Sequence, residues 1–291
     1  MLQMVKHIFP AVIYLTVCSC NHYDFKGFIM PNGDGIEKRF EQSEAICPDL
    51  RKGALNTESE YTFYVATDPH IEKTNRNLSQ FNYNLRNDDE ASFGVILGDC
   101  TDLKNNLHKY LEALTYQEEK HQFRHEIFHI LGNHDTYFNG WNDFKEMIGP
   151  SVYWFEVIYP EGKDLYISLD TATGTLGRKQ TQWFKSFLKA NRHNYRHCII
   201  LTHTNFFLTD MSQVSSGNMP IEESFALIDF IGNQNVTLVL QGHDHYREDL
   251  YYGNVRYTVL GTIQDKSDAP EYAKVIVNQD GIMLDWQYLN N

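Results

Sequence analysis

Five apolar runs of strand length, each followed at once by residues that can bind a cation, constrain this chain more than any other feature. They are YTFYVAT (61–67), SFGVIL (92–97), EIFHIL (126–131), HCIIL (197–201) and VTLVL (236–240). Rich in β-branched, aromatic and aliphatic residues and almost continuously apolar, they have the pattern of strands buried on both faces. Helical periodicity lies between them. Leu103 to Gln122 sets Leu107, Tyr110, Leu111 and Leu114 on one face, Arg178 to Ala190 does so with Trp183, Phe184, Phe187 and Leu188, and Ile221 to Ile231 follows suit. Segments 152–160 and 164–170, joined by Glu161-Gly162-Lys163, read as a hairpin, and the alternation from Asp249 to Leu289 reads as three or four more strands. The sum is an α/β sandwich with mixed sheets.

Asp68-Pro69-His70 follows the first run, Gly98-Asp99-Cys100-Thr101-Asp102 the second, Gly132-Asn133-His134-Asp135 the third, Thr202-His203 the fourth and Gly242-His243-Asp244-His245 the fifth. Ligand sites in open α/β sheets form beyond the carboxyl ends of strands, so five such loops can converge on one place. Gly98, Gly132 and Gly242 each precede a donor, where the lack of a Cβ permits a sharp exit and close backbone approach. Asp68, His70, Asp99, Asn133, His203, His243 and His245 then supply seven oxygen and nitrogen donors, too many for one catalytic ion and suited to two that share a carboxylate. Asp99, in the middle of the series, is the natural bridge. No thiolate is required, which favours Mn, Fe or Zn over soft-metal sites and leaves the choice among the three open. Two ions about 3.5–4 Å apart can hold a hydroxide nucleophile and both the attacked and leaving oxygens of an in-line displacement at phosphorus.

The order D-x-H, G-D-x-x-D, G-N-H-D, H, G-H-x-H, from Asp68 to His245, resembles that of the calcineurin-like metallophosphoesterase family. The resemblance implies a four-layer α/β/β/α sandwich of two mixed β-sheets flanked by helices, with a dinuclear metal centre. It implies that Asp68, His70, Asp99 and His245 bind one metal and Asp99, Asn133, His203 and His243 the other. His134 would protonate the leaving oxygen or stabilise charge on the phosphoryl group, and Asp135 would orient His134. Gln180-x-x-Trp183 also resembles a feature of exported members. There are two departures. Asp102 stands where the purple acid phosphatase branch has a tyrosine ligand, so no tyrosinate-iron site is expected, and His203-Thr204-Asn205 replaces the frequent H-x-P, which alters only the neighbouring pocket.

Other residues near these motifs admit plainer readings. Asp102 and Asp244 read equally as solvated loop residues or as partners of the donors, and Cys100 as a small buried residue. Tyr137, Phe138, Asn205 and Phe206 follow donors directly and suit either a substrate pocket or core packing; the loop Thr209 to Pro220 is a candidate rim. His125-Glu126-Ile127-Phe128-His129 matches the H-E-x-x-H of zinc peptidases, with Glu146 as a conceivable third ligand. That chemistry needs a helix, on which the two histidines stand roughly 6 Å apart. On a strand they are roughly 13 Å apart, and Ile127, Phe128 and Ile130 before Gly132 favour a strand.

At 291 residues, 42% of them apolar and 14% aromatic, the chain can bury a substantial core. A formal net charge of −13 and the lack of a basic stripe exclude nucleic acid as the principal partner, while a small phosphorylated substrate is compatible if bound cations reverse the local field. Lys6 and the apolar stretch Ile8 to Val17, too short to span a bilayer, read as an export signal. Its ending Val17-Cys18-Ser19-Cys20 resembles a bacterial lipoprotein signal with Cys20 lipidated, which implies a membrane-anchored protein of the cell envelope. The expected organisation is a signal over 1–20, a tether over 21–60 with a short helix from Ile36 to Ala45, and the folded domain over 61–291. Cys47, Cys100 and Cys198 are expected as free thiols. Three functions compete: a metal-dependent hydrolase of phosphate esters (monoester or diester), a catalytically silent membrane-tethered binding or scaffold protein of the same fold, and, weakest, a zinc peptidase.

Overall fold

The structure is a computed structural model that describes residues 34–102, 106–115, 125–207 and 219–289. The chain opens with α1 (Ile36–Ile46) and β1 (Arg51–Asn56), then alternates through β2 (Tyr61–Ala66), α2 (Arg76–Arg86), β3 (Ala91–Ile96), α3 (Leu107–Thr115) and β4 (Glu126–His129). After a turn over His134–Asn139 come α4 (Gly140–Met147) and the hairpin of β5 (Tyr153–Tyr159) and β6 (Gly162–Ser168). The remainder is α5 (Gly177–Asn191), β7 (Cys198–Leu201), α6 (Ile221–Asn233), β8 (Leu238–Gln241), β9 (Glu248–Tyr252), β10 (Val255–Val259), β11 (Glu271–Val277) and β12 (Ile282–Tyr288).

Two sheets form. One has seven strands in the order β1-β5-β6-β7-β8-β10-β9 and the other five in the order β12-β11-β2-β3-β4. The five apolar runs fall on β2, β3, β4, β7 and β8; within each sheet these strands run parallel. They therefore end at one edge of each sheet. Phe63, Val65, Phe93, Val95 and Phe128 of one sheet meet Phe155, Tyr166, Ile199, Leu201 and Leu240 of the other in a fully covered core. A second apolar layer joins the five-stranded sheet to α2, α3 and α4, and a third joins the seven-stranded sheet to α5 and α6. This is the expected four-layer α/β/β/α sandwich of two mixed sheets. The hairpin, four C-terminal strands and three buried free cysteines also match expectation.

Two parts of the reading change. Residues 34–60 are not a tether. The helix α1 lies where expected, but it is docked, and β1 pairs in parallel with β5 as the outer strand of the larger sheet. As an edge strand, β1 is mostly solvated and lacks the apolar signal of a central strand. Arg39 of α1 is buried, and its guanidinium donates to both Asp170 oxygens at 2.8 and 2.9 Å and to the Asp34 carbonyl at 2.8 Å. Phe40 packs with Leu50 and Val152 beside Trp183. Gln180, three residues before that tryptophan, is buried and bonds both the Asp170 N–H and the Asp170 carbonyl. The second change is the pair α2 and α4, for which the sequence reading has no helix. In α2 the apolar stripe Leu78, Phe81, Leu85 is diluted by four asparagines in and before the helix, one of which, Asn82, is buried and bonds the Leu114 carbonyl at 2.7 Å. Of the helix expected over Leu103 to Gln122, residues 103–105 and 116–122 lie outside the described residues, as does the loop 208–218.

Replacing Arg39 by Ala should destabilise the fold by about 3–5 kcal/mol, because Asp170 would be left as an unpaired buried charge. Replacing Arg51, whose pair with Glu156 is solvated on the arginine side, should cost about 1 kcal/mol or less. Urea denaturation of the two variants measures both.

Candidate metal centre

All seven expected donors come together at the shared carboxyl edge of the two sheets. Asp68 and His70 leave β2, Asp99 leaves β3, Asn133 leaves β4, His203 leaves β7, and His243 with His245 leave β8. The exits are abrupt: Asp68, His70, Asp99, His243 and His245 have φ of 54°, 45°, 51°, 76° and 60°. Left-handed backbone costs a residue with a Cβ about 1–2 kcal/mol, and such strain concentrates where side-chain direction matters. Two glycines make the approach possible. A Cβ on Gly132 would collide with the Asp99 backbone nitrogen and carboxylate, and one on Gly242 with the Thr67 hydroxyl.

Asp99 occupies the centre. Its Oδ1 accepts the His134 N–H at 2.8 Å, while Oδ2 lies 3.4 Å from His203 Nε2 and 3.6 Å from His70 Nε2. Asp68 accepts from the Thr67 hydroxyl at 2.6 Å and the His243 N–H at 2.9 Å, both on Oδ2. Its other oxygen is buried without a hydrogen bond, 3.3 Å from His245 Nε2 and 3.5 Å from His70 Nε2. Asn133 Oδ1 faces His203 Nε2 at 3.0 Å, and His243 Nδ1 lies 3.3 Å from that same nitrogen. Atoms that could ligate a metal form overlapping groups: Asp68, His70 and His245; Asp99, His203 and His243; and His70, Asp99 and His134. The first two fall within the two expected halves, without Asp99 in the first or Asn133 in the second, and Asp99 Oδ2 lies 3.6 Å from His70 Nε2 and 3.4 Å from His203 Nε2.

The donor set fits cations. Imidazole nitrogens of His70 and His245 point at one another at 3.0 Å, as do those of His203 and His243, with a hydrogen-bond-free carboxylate oxygen beside the first pair. A cation beside each pair would satisfy these atoms. The far nitrogens are engaged, as is usual for metal-binding histidines. His203 Nδ1 donates to the Leu97 carbonyl at 2.7 Å, His70 Nδ1 bonds Asp102, and His245 Nδ1 meets the Gln264 amide at 3.2 Å.

His134 lies beside the cluster, with Nε2 4.0 Å from Asp99 Oδ2. The expected contact with Asp135 is absent. The Asp135 carboxylate is buried and accepts the backbone N–H groups of Cys100 and Gly132, each at 2.9 Å, which clamps the loops after β3 and β4 together. Burial, with Asp99 nearby, pushes its pKa up to about 7. Asp102 faces the His134 ring instead: its Oδ1 lies 3.4 Å from His134 Nδ1, which is buried without a hydrogen bond, and it also bonds His70. The sequence signal for Asp102 was its place in G-D-x-x-D; Gln264, Thr67 and Thr262, whose hydroxyl donates to the Asp68 carbonyl at 2.7 Å, had none.

The remaining candidates divide. Phe206 is core, Asn205 is buried and donates to Asp244 at 2.8 Å, and Cys100 is buried. Tyr137, whose ring lies against that of His134, and Phe138, next in the chain, are exposed. His129 ends a strand, buried against Tyr110, and Glu146 is exposed on α4, so the helix that a zinc peptidase motif needs is not formed. Cys20 lies outside the described residues.

The model of the family described as calcineurin-like phosphoesterase matches residues 61–247, a span that holds all seven expected metal donors. Among solved structures, GAP50, the anchor in the inner membrane complex of Plasmodium, is similar with a TM-score of 0.59 and 14% identity, over 79% of this chain and 85% of that one. A putative 5'-nucleotidase from Staphylococcus aureus, solved in complex with alpha-ketoglutarate, is similar with a TM-score of 0.51 and 14% identity, over 79% of this chain and 54% of that one. At this identity both likenesses concern the fold alone. No curated protein matches the chain.

Protons compete with cations for these donors. Burial draws the His70 imidazole down, but the Asp102, Asp68 and Asp99 carboxylates raise it to about 10. His203, likewise opposed by burial, is raised to about 9 by Asp99 and Asp68. Without a cation both rings are therefore protonated at pH 7, and a cation must displace those protons. Metal binding at pH 7 is expected to release protons, and affinity to rise with pH up to about 10. Calorimetric titration with Mn or Zn in buffers of different ionisation enthalpy reads the number released.

Proposed function

This chain belongs to the calcineurin-like phosphoesterase family, and from that premise we propose that it hydrolyses phosphate esters, monoesters or diesters, with two transition-metal ions. The observation that carries the proposal is the pair of donor groups sharing Asp99, with His134 alongside. Asp68, His70, Asp99 and His245 would hold one ion, and Asp99, Asn133, His203 and His243 the other; Mn, Fe and Zn all suit the oxygen and nitrogen donors. When bound, the pair supplies positive charge for the phosphoryl oxygens and acidifies the attacking water. The chain's own residues do the rest. His134 Nε2, on the cluster side of its ring, offers a proton or a hydrogen bond to the leaving alcohol oxygen. Burial lowers the His134 pKa, while Asp99 and Asp102, the latter with Oδ1 3.4 Å from Nδ1, favour the charged form of the ring.

A catalytically silent, membrane-tethered binding protein of the same fold is the competing reading. The complete donor set, His134 included, supports hydrolysis over it. The proposal extends to export and to a lipid on Cys20, a small phosphorylated substrate being met in the cell envelope. A mature mass that lacks residues 1–19 and carries a lipid, both features lost in Cys20→Ala, is the expected outcome; an unprocessed chain in the parent would refute it.

His134→Ala should keep both metal ions and lose about 100-fold to 10,000-fold in kcat on an aryl phosphate, whereas Asp99→Ala should lose metal and activity together. Elemental analysis and steady-state kinetics test this. Parent-like activity in either variant would refute the role given to that residue, and an inactive parent holding fewer than two ions would favour the silent scaffold.

A further inference from the structure

We propose that Tyr137 and Phe138 form a platform for the alcohol part of the substrate, selecting phosphate esters whose alcohol carries a planar ring. The inference rests on the phosphoesterase reading above and adds a substrate class to it. Its basis is the turn over His134–Asn139, which follows the proposed acid with two aromatic side chains. The Tyr137 ring lies 4.8 Å from the His134 ring at an angle of 44°. Its hydroxyl accepts a hydrogen bond from Asn133 Nδ2 at 2.9 Å. Tyr137 is thus fixed at its ring and at its hydroxyl, yet 39% of it stays exposed. Phe138 is 72% exposed, more than any other large apolar side chain among the described residues. Its backbone is left-handed, with φ 53° and ψ 36°, a conformation that a bulky residue rarely adopts. A connection that merely joined β4 to α4 would gain stability by burying such a ring and relaxing such a backbone.

The position of His134 ties this surface to one end of the substrate. The oxygen that receives the proton from His134 is the one that carries the alcohol, so the alcohol emerges beside His134 and next to Tyr137. An immobilised aromatic ring with accessible surface attracts a flat unsaturated ring more than a saturated ring of the same size, because the contact depends on the π-faces. Because Tyr137 is already held, little conformational freedom is lost when it binds. Aryl alcohols and nucleosides share the required chemistry.

Phosphonates keep their carbon–phosphorus bond in such a site, so binding can be read without turnover. Calorimetry on the metal-loaded protein would compare methylphosphonate, cyclohexylphosphonate and phenylphosphonate. Phenylphosphonate is expected to bind about tenfold more tightly than cyclohexylphosphonate. Phe138→Ala and Tyr137→Leu should each reduce that ratio, and Phe138→Ala should leave methylphosphonate binding unchanged. Equal affinity for the two ring compounds in the parent protein, or a phenyl preference that survives in both variants, overturns the platform while methylphosphonate still binds. Failure of all three compounds to bind overturns the phosphoesterase reading and the platform with it.

Discussion

Keeping two buried carboxylates ionised at the edge of two apolar sheets is the constraint on which the rest of the structure depends. Asp68 and Asp99 are almost wholly buried at the carboxyl edge of the strands. An isolated buried carboxylate is costly, so each is surrounded by groups that favour its charge. Burial opposes ionisation of Asp68, but His203, His245 and His70 hold its pKa well below the usual range. Backbone N–H groups of His243 and His134 add one hydrogen bond to each carboxylate. What is left over is an oxygen without a hydrogen bond and several imidazole nitrogens turned towards one another, an arrangement that positive charge completes.

The surrounding fold holds an arrangement that local preferences oppose. Five donors sit in left-handed backbone, and glycines 132 and 242 stand where any side chain would strike the neighbouring loop. Strain of this kind persists only where the rest of the molecule over-determines it. The apolar core between the sheets, the clamp made by Asp135 and the bond from Thr262 to the Asp68 carbonyl do so here. Three aspartates in two neighbouring motifs thereby take three tasks: Asp99 presents an oxygen to the cluster, Asp102 faces His70 and His134, and Asp135 fastens the loops.

Much of the fold was legible because strands buried on both faces must be continuously apolar. The central strands β2, β3, β4, β7 and β8 fall on such runs. The strand β1 was not legible, since RKGALN at a solvated edge needs no apolar pattern. The helix α2 was hidden for another reason: its buried Asn82 and Arg86 bond each other and the end of α3, so polar residues occupy positions that periodicity reserves for apolar ones. Docking of α1 depends on a salt bridge between Arg39 and Asp170, residues 131 positions apart, which no local window contains.

The sequence by itself determined the donor types, their order and the strands that deliver them, because ligand chemistry belongs to the residue and a short loop after a buried strand has few places to go. It also separated the two halves of HEIFHILGNHD, since β-branched and aromatic residues make the first half a strand and Gly132 ends it. Only the tertiary structure decided which carboxylate faces His134, which far nitrogens are held, and where Gln264 and Tyr137 stand. Those choices depend on side-chain directions fixed between loops far apart in the chain, such as His70 and His245 at a separation of 175 residues. Adjacency in sequence put Asp135 next to His134, but the bonds from Cys100 and Gly132 turned its carboxylate away.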